Sequence, residues 1–239
     1  MRSFRSAPDP LNPGRVGFAH RGLHGPGVPE NSLASGRAAL AIGAGIECDV
    51  RLSADGVPMV FHDADLMRLC GIEGDTAQLT AAALTQLTLL GTAEHVPTLA
   101  EWLAPVPVDT PALIEVKATS EERTAALCAA VAALLGTERP RTAVMSFAPA
   151  VSCWFAAHSP ERRRGLVVDG RWPADFRESA VAMAEPQFVA IDKALLGDPW
   201  TAAMRERVPV YSWTIQSPED LRRVANHADA PIWEGDGRP

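Results

Sequence analysis

Short apolar runs recur along the chain and alternate with stretches of helical character. The runs lie at 16–20, 45–50, 58–62, 112–117, 142–147, 164–168, 188–191, 208–214 and 230–233. The Ala- and Leu-rich segments between them predict helices, for example over 32–42, 121–135, 149–158 and 218–227. Strands that alternate with helices favour a parallel sheet. About eight such units in a chain of 239 residues predict an α/β fold of the (β/α)8 TIM-barrel type.

The strand count and the connections leave some alternatives open. A doubly wound open sheet is the second choice, but no glycine-rich dinucleotide turn follows the first run. Nine candidate strands for eight barrel positions mean that one of them lies outside the barrel. The segment 66–111 has no clear strand and predicts helices over 80–89 and 98–103. No linker or low-complexity tract divides the chain, so we interpret residues 1–239 as one domain.

Ionisable residues interrupt the first three runs. His20-Arg21 ends the first run, Glu47-Cys48-Asp49 lies inside the second, and His62 closes the third. Strands rarely hold so many ionisable groups, because an unpaired buried charge costs several kcal/mol. The simplest explanation is one shared site at the ends of these strands.

A predicted turn brings parts of this site together. Asp55-Gly56 lies midway between Asp49 and His62, and Asp-Gly between two strands is a strong turn signal. Such a turn places Asp49 opposite His62. Strand residues two apart project to the same face, so Glu47 and Asp49 point the same way. We therefore expect two carboxylates and one imidazole on one patch.

The acidic residues on these strands suggest a metal site. Glu47 and Asp49 repel each other unless a cation lies between them, and oxygen ligands suit Mg²⁺ or Ca²⁺. In Leu113-Ile114-Glu115-Val116-Lys117, Glu115 is a candidate third ligand and Lys117 a candidate phosphate contact. The structural alternatives are an edge strand with a wet polar face and an exposed Glu–Lys pair. Both conflict with a barrel, whose strands are covered by helices.

The two histidines at strand ends add acid–base chemistry. Neutral and protonated imidazole coexist near pH 7, so His20 and His62 can supply both a base and an acid. Arg21 adds a planar fork that suits phosphate. With carboxylates, a metal and Lys117, this set describes phosphoryl-ester chemistry. His95, His158 and His227 are interpreted as structural, whereas two further residues are secondary candidates for substrate contact: His24 and Asp192.

These residues resemble the signature of the glycerophosphodiester phosphodiesterase family. The similar motifs, in chain order, are His20-Arg21-Gly22, Pro29-Glu30-Asn31-Ser32, Glu47-Cys48-Asp49-Val50, Asp55-Gly56 leading to His62-Asp63, Val96-Pro97-Thr98-Leu99, Glu115-Val116-Lys117, Ser146-Phe147 and Ser212-Trp213-Thr214-Ile215. The ordered set covers nearly the whole chain. Ser32 stands where the family usually has Thr, and Ile232-Trp233-Glu234-Gly235 replaces the usual Thr-Asp before Pro.

The resemblance implies a (β/α)8 barrel that uses a divalent metal to hydrolyse glycerophosphodiesters to glycerol 3-phosphate and an alcohol. It implies Mg²⁺ or Ca²⁺, with Mn²⁺ as a further option, bound by Glu47, Asp49 and Glu115. It also implies that His20 and His62 form the acid–base pair. The implied substrate contacts are Arg21 and Lys117 for the phosphate and Trp213 as a wall of the glycerol pocket.

Bulk composition limits the partners and the compartment. A net charge of −7 argues against a general nucleic-acid binder, so the expected partner is a small glycerophosphodiester. The four cysteines fit neither a zinc pattern nor a disulfide framework. Residues 1–15 carry no apolar signal-peptide core, and no run of 18 apolar residues exists, so we expect a cytoplasmic protein without a membrane span.

Three rival functions remain at this point. A phospholipase D-like enzyme that acts on lysophospholipids needs an apolar groove, for which the short segment between His62 and Glu115 offers little material. A metal-dependent sugar isomerase leaves Arg21 and Lys117 without a role. A barrel that only binds a phosphorylated ligand conflicts with the complete set of acids and histidines.

Overall fold

The structure is a computed structural model that describes residues 9–239; part of segment 1–15, in which no signal peptide is expected, lies outside the described residues. The strands are β1 (Phe18–Ala19), β2 (Gly45–Leu52), β3 (Pro58–Val60), β4 (Ala112–Val116), β5 (Thr142–Ser146), β6 (Arg164–Val168), β7 (Phe188–Asp192), β8 (Val210–Ile215) and β9 (Ala230–Trp233). The α-helices are α1 (Leu33–Ala41), α2 (Met67–Cys70), α3 (Ala81–Leu84), α4 (Leu99–Leu103), α5 (Glu121–Leu135), α6 (Pro149–His158), α7 (Ala174–Ala184), α8 (Pro199–Arg205) and α9 (Pro218–His227). Four short 3₁₀ turns lie at Gly14–Val16, Thr76–Gln78, Lys193–Leu195 and Gly235–Gly237.

Eight parallel strands close into a barrel, as the alternation of strands and helices predicts. Around the barrel the order is β1, β9, β8, β7, β6, β5, β4 and β2, and β1 pairs with β2 to close the ring. The open doubly wound sheet is therefore excluded. The ninth strand, β3, is antiparallel to β2 and lies outside the ring. It pairs with the part of β2 that extends beyond two-residue β1, where β2 has a free edge.

The turn between β2 and β3 differs by one residue from the prediction. Val50 pairs with Val60, and the Phe61 N–H donates to the Asp49 carbonyl at 3.0 Å, so Asp49 faces Phe61 and not His62. The loop has three residues, 54–56, between the paired Ser53 and Val57. Gly56, at φ 83°, supplies the left-handed residue that such loops use.

Hydroxyl side chains cap several of the helices. The Ser32 side chain accepts from the Ser35 N–H and caps α1. Ser120 caps α5, and Ser217 caps α9 in the same manner. Thr98 and Glu101 form a reciprocal capping box on α4. The helix predicted over 80–89 is confined to the four residues of α3, because the chain then turns to place Leu87 and Leu89 against the third apolar cluster described below.

Three apolar clusters hold the fold together. The largest lies between the barrel and its helices and includes Ile46, Cys48 and Val50 of β2. A second fills the lower barrel interior, where Tyr211 packs between Phe18 and Phe188 with ring centroids 5.2 and 5.3 Å away. A third, including Leu66, Leu69, Leu84 and Val96, lies under segment 66–96. Because the second cluster fills the lower interior, polar side chains can meet inside the barrel only at its upper end, which is formed by the carboxyl ends of the strands.

The remaining sequence-level expectations concern cysteines, membrane spans and domains. All four cysteines are free, and Cys48 and Cys128 are buried, as their apolar surroundings predict. Within residues 9–239, no helix combines the length and apolarity that crossing a bilayer requires. The assignment of residues 1–239 to one domain stays a prediction.

Candidate active site

Three carboxylates meet at the carboxyl ends of β2 and β4. Asp49 pairs in register with Glu115 on the neighbouring strand, and Glu47 lies one interior position below Asp49. A ligand oxygen from each lies within 4.8 Å of the others, and all three side chains are buried. The wet edge strand and the exposed Glu–Lys pair are therefore wrong, because helices cover the outer faces of β2 and β4.

The loop after β1 holds two of these carboxylates in place. The Arg21 N–H donates to Glu47 Oε2 at 2.8 Å, and Asn31 Nδ2 donates to Asp49 Oδ2 at 2.9 Å. Arg21 and Asn31 both adopt positive φ, 54° and 57°, which is uncommon for non-glycine residues. Gly22 permits the turn, because a Cβ there would lie 2.6 Å from the backbone carbon of Ser35 on α1. The His-Arg-Gly motif thus shapes the site through its backbone.

Two cations share the charge of the acidic group. Lys117 Nζ lies 2.8 Å from Asp49 Oδ1 and also binds Glu115. Arg21 Nε lies 3.2 Å from Asp49 Oδ2, and its Nη1 donates to Glu30 at 2.7 Å. Burial alone would raise the pKa of Asp49, but Lys117 and Arg21 lower that pKa far below its usual value.

At the other two carboxylates, the nearby cations do not offset the effect of burial on the pKa. Burial, together with Asp49 and Glu115, raises the pKa of Glu47 well above its usual value. Burial also raises the pKa of Glu115 to about 7, against the opposing effect of Lys117. Within residues 9–239, Glu47 Oε1 is buried and has no hydrogen-bond partner. An unpartnered carboxylate oxygen beside two further acids is the donor set that a hard divalent cation needs, so these residues fit a metal ion.

Each site histidine is oriented by a carboxylate. His20 Nδ1 lies 2.8 Å from Glu234 Oε2, and His62 Nδ1 lies 2.6 Å from Asp63 Oδ1. Burial is the main effect that lowers the pKa of both imidazoles. Since Nδ1 of each ring faces its carboxylate, Nε2 is the ring nitrogen left to serve a substrate.

One cavity of about 90 Å³ joins these groups. Seven of the eight predicted site residues line it, namely His20, Arg21, Glu47, His62, Glu115, Lys117 and Trp213. The eighth, Asp49, is buried behind its cationic partners Lys117 and Arg21. Phe147 stands edge-on to Trp213 at 5.5 Å between centroids and forms an aromatic wall opposite the charged groups.

Sequence reasoning missed several residues that support the site. Asn31 clamps Asp49, Asp63 orients His62, and Glu30 bridges Arg21 and Arg68. Each sits inside a motif noted above, and Asp63 directly follows His62. Glu234 orients His20 from the segment where the chain departs from the family pattern.

Of the two secondary candidates for substrate contact, one lies at the site and the other does not. His24 joins the site periphery, with Nε2 3.4 Å from Glu234 Oε2, and forms with His20 and Glu234 a second group of closely spaced ligand atoms. Asp192 instead accepts from the Ala194 N–H and begins a 3₁₀ turn. His158 stacks on Trp154 at the end of α6, as expected of a structural histidine.

The chain is similar to known proteins in both sequence and fold. Residues 20–228 match the model of the glycerophosphoryl diester phosphodiesterase family. Over 108 residues the chain is 34% identical to the probable glycerophosphodiester phosphodiesterase 2 of Mycobacterium tuberculosis, a match over 45% of this chain and 40% of that protein. A glycerophosphodiester phosphodiesterase of Caldanaerobacter subterraneus is 39% identical over 71 residues, 29% of each chain. These matches thus span less than half of either curated relative.

The fold also matches a solved structure. An Oleispira antarctica phosphodiesterase, solved in complex with its product sn-glycerol-3-phosphate, superposes with a TM-score of 0.79 and 24% identity. The match covers 91% of each chain. At this identity the likeness establishes the shared barrel.

Proposed function

The chain belongs to the glycerophosphoryl diester phosphodiesterase family, and from this premise we propose that it hydrolyses glycerophosphodiesters to glycerol 3-phosphate and an alcohol. The observation that carries the proposal is one cavity lined by Glu47, Glu115, two cations and two imidazoles, with the carboxylate of Asp49 close to the other two acids. The rival function of a sugar isomerase gives Arg21 and Lys117 no chemical role in that position. The rival function of a phosphate-binding barrel gives no role to two histidines whose rings contact carboxylates.

We propose that Glu47, Asp49 and Glu115 hold one divalent cation, with Mg²⁺, Ca²⁺ or Mn²⁺ as the candidates. When bound, such an ion polarises a phosphoryl oxygen and offsets the charge that develops in the transition state. Arg21 and Lys117 face the same cavity and bind the remaining phosphoryl oxygens. Lys117 reaches those oxygens by leaving the carboxylates it contacts in this structure, which requires another positive charge to take its place.

The two imidazoles carry the protons. One Nε2 takes a proton from the attacking hydroxyl, and the other donates a proton to the oxygen of the departing alcohol, so the net proton balance of the two residues is zero. The nucleophile is water or the glycerol hydroxyl next to the phosphate. In the second case a cyclic phosphate forms first and is then opened by water, with the two histidines exchanging roles.

The glycerol lies against the aromatic wall. Trp213 and Phe147 line the cavity together with Met145, Val167 and Ile232. The Trp213 indole donates to the Ala190 carbonyl at 2.9 Å, which fixes its ring plane. This apolar side suits the carbon face of glycerol, while the hydroxyls and the phosphate face the charged side.

The direct test is release of glycerol 3-phosphate from glycerophosphocholine. We expect turnover with Mg²⁺, Ca²⁺ or Mn²⁺, loss of activity in EDTA, and recovery when metal is added back. Full activity in excess chelator, with the metal content checked by elemental analysis, would refute the metal requirement. Absence of product with every metal would refute the hydrolase.

A second candidate substrate class is favoured by a groove beside the site. Between α5 and α6 lies a largely apolar groove of about 620 Å³. Its lining includes Ala118, Ala125, Ala148, Ala150, Trp154 and Ala157. An intermediate cavity shares Lys117 and Phe147 with the site and Ala118 and Ala148 with the groove. The groove thus comes from α5 and α6, and not from the segment between His62 and Glu115.

This groove suits the acyl chain of a lysophospholipid whose glycerol occupies the site. If it does so, lysophosphatidylcholine is cleaved at the same phosphodiester bond, and the acylated glycerol phosphate is released. Ala125→Trp should then lower activity on long-chain lysophosphatidylcholine and leave glycerophosphocholine turnover unchanged. Equal turnover of lysophosphatidylcholine by both proteins would remove the groove from substrate binding.

A further inference from the structure

The carboxylate of Glu234, at the end of the last barrel strand, lies close to two histidines. Glu234 directly follows β9, and its Oε2 lies 2.8 Å from His20 Nδ1 and 3.4 Å from His24 Nε2. We propose that Glu234 is a positioning residue for His20, and that the longer contact of His24 with the same carboxylate oxygen gives a weaker, supporting interaction. The proposal rests on the proposed function, because it assigns His20 the acid–base role described there.

The carboxylate is fixed at both oxygens and through its backbone. Gln216 Nε2 donates to Glu234 Oε1 at 2.8 Å, so Oε2 is left for the two imidazoles. The Glu234 N–H donates to the Ile215 carbonyl at 3.0 Å, and the Gly237 N–H donates to the Glu234 carbonyl at 3.0 Å. An acceptor held in this way can define the orientation of a ring that it contacts.

His20 is tied to the same segment through its main chain. Its N–H donates to the Trp233 carbonyl at 2.8 Å, so the backbone of His20 is bonded directly to the end of β9. With the backbone and Nδ1 both fixed, the ring has one orientation, in which Nδ1 carries the proton and Nε2 is free for the substrate. The acceptor therefore sets the tautomer as well as the angle of the ring.

The two carboxylate–histidine pairs differ in their other partners. Asp63 divides its charge between His62 and the Arg68 guanidinium, which also binds Glu30. Glu234 directs its charge at two imidazoles and the neutral amide of Gln216. Removal of Glu234 should therefore affect His20 more strongly than removal of Asp63 affects His62, whose surroundings keep a compensated ion network.

The test compares Glu234→Ala, Glu234→Gln and His24→Ala with the exposed control Glu206→Ala. On glycerophosphocholine we expect Glu234→Ala to lower kcat by roughly 10–100-fold, the range seen when an orienting carboxylate is removed. KM should stay within about twofold, since Glu234 does not line the substrate cavity. Glu234→Gln keeps an acceptor and should restore part of kcat, His24→Ala should cost only a few-fold, and the control should be silent.

Two further measurements separate positioning from a merely structural role. In the His20→Ala background, Glu234→Ala should cause no further loss of kcat, because residues that act as one unit are not additive. The ¹⁵N signals of the His20 ring should report a protonated Nδ1 in the wild type and a changed tautomer mixture in Glu234→Ala. This spectrum needs no substrate, so it tests the positioning even if the proposed reaction is wrong.

The outcomes that overturn the proposal are defined by the same variants. An unchanged His20 spectrum together with unchanged kcat in Glu234→Ala would show that Glu234 does not act through His20. Losses of kcat that multiply in the double variant would show that Glu234 acts elsewhere. A lower melting temperature with normal kcat would make it a structural contact only.

Discussion

Lys117→Met removes the positive charge that lies between two buried carboxylates. The Lys117 side chain is only 12% exposed and contacts Asp49 and Glu115, and methionine keeps a stem of similar shape. In the metal-free variant, Arg21 still pairs with Asp49, but Glu115 has lost its contact with the Lys117 ammonium. We therefore expect the metal-free variant to lose stability as well as activity.

The magnitude follows from the burial of the pair. A charge pair at 2.8 Å with an effective dielectric constant of about 20 is worth roughly 6 kcal/mol before desolvation. Breaking a buried pair by removing one partner costs about 3–5 kcal/mol. Glu115, whose pKa lies at about 7, can take up a proton when Lys117 is absent, which limits the loss toward the lower value. For a chain of 239 residues, this predicts a melting temperature lower by roughly 6–12 °C.

The assay is thermal unfolding at pH 8 in EDTA and again with Mg²⁺, combined with kcat/KM on glycerophosphocholine. Added metal should stabilise the variant more than the wild type, because it supplies the missing positive charge. The matched control is Lys193→Met, whose ion pair with Asp220 is less buried than the pair of Lys117 with Asp49, so its melting temperature should fall less. An unchanged melting temperature in EDTA would refute the electrostatic reasoning. Unchanged kcat/KM would remove Lys117 from the phosphate site.

Three further predictions follow from the site. His20→Ala and His62→Ala should each lower kcat by roughly 10²–10⁴-fold with the fold intact, whereas His158→Ala should be silent; near wild-type kcat would exclude that residue from the acid–base pair. Gly22→Ala should destabilise the protein measurably in chemical unfolding, because its Cβ would meet the backbone of α1 at positive φ; unchanged stability would contradict the tight packing there. Apparent Mg²⁺ affinity, measured by calorimetry, should fall as the pH is lowered from 8 to 6. The reason is that the proton that Glu115 binds below about pH 7 competes with the metal. A pH-independent affinity would argue against Glu115 as a ligand.

The local pattern was sufficient for the strands and most helices. Each of the nine apolar runs overlaps a strand, because short runs rich in β-branched residues favour the extended conformation. The helices α5, α6 and α9 begin and end at the bounds that their Ala- and Leu-rich segments predict. The sequence also predicted that Glu47, Asp49 and Glu115 belong together, because charged residues inside apolar strands are costly to bury unless they share a site.

The sequence by itself determined the barrel and the set of ionisable residues at its upper end, because alternating burial and charged positions within apolar runs can be recognised from neighbouring residues. Tertiary structure decided which strand stays outside the ring, since that depends on how far β2 extends beyond β1. It also decided which carboxylates orient the histidines. Glu234 reaches His20 across 214 positions of the chain, and only closure of the barrel, which makes β9 the neighbour of β1, brings them together.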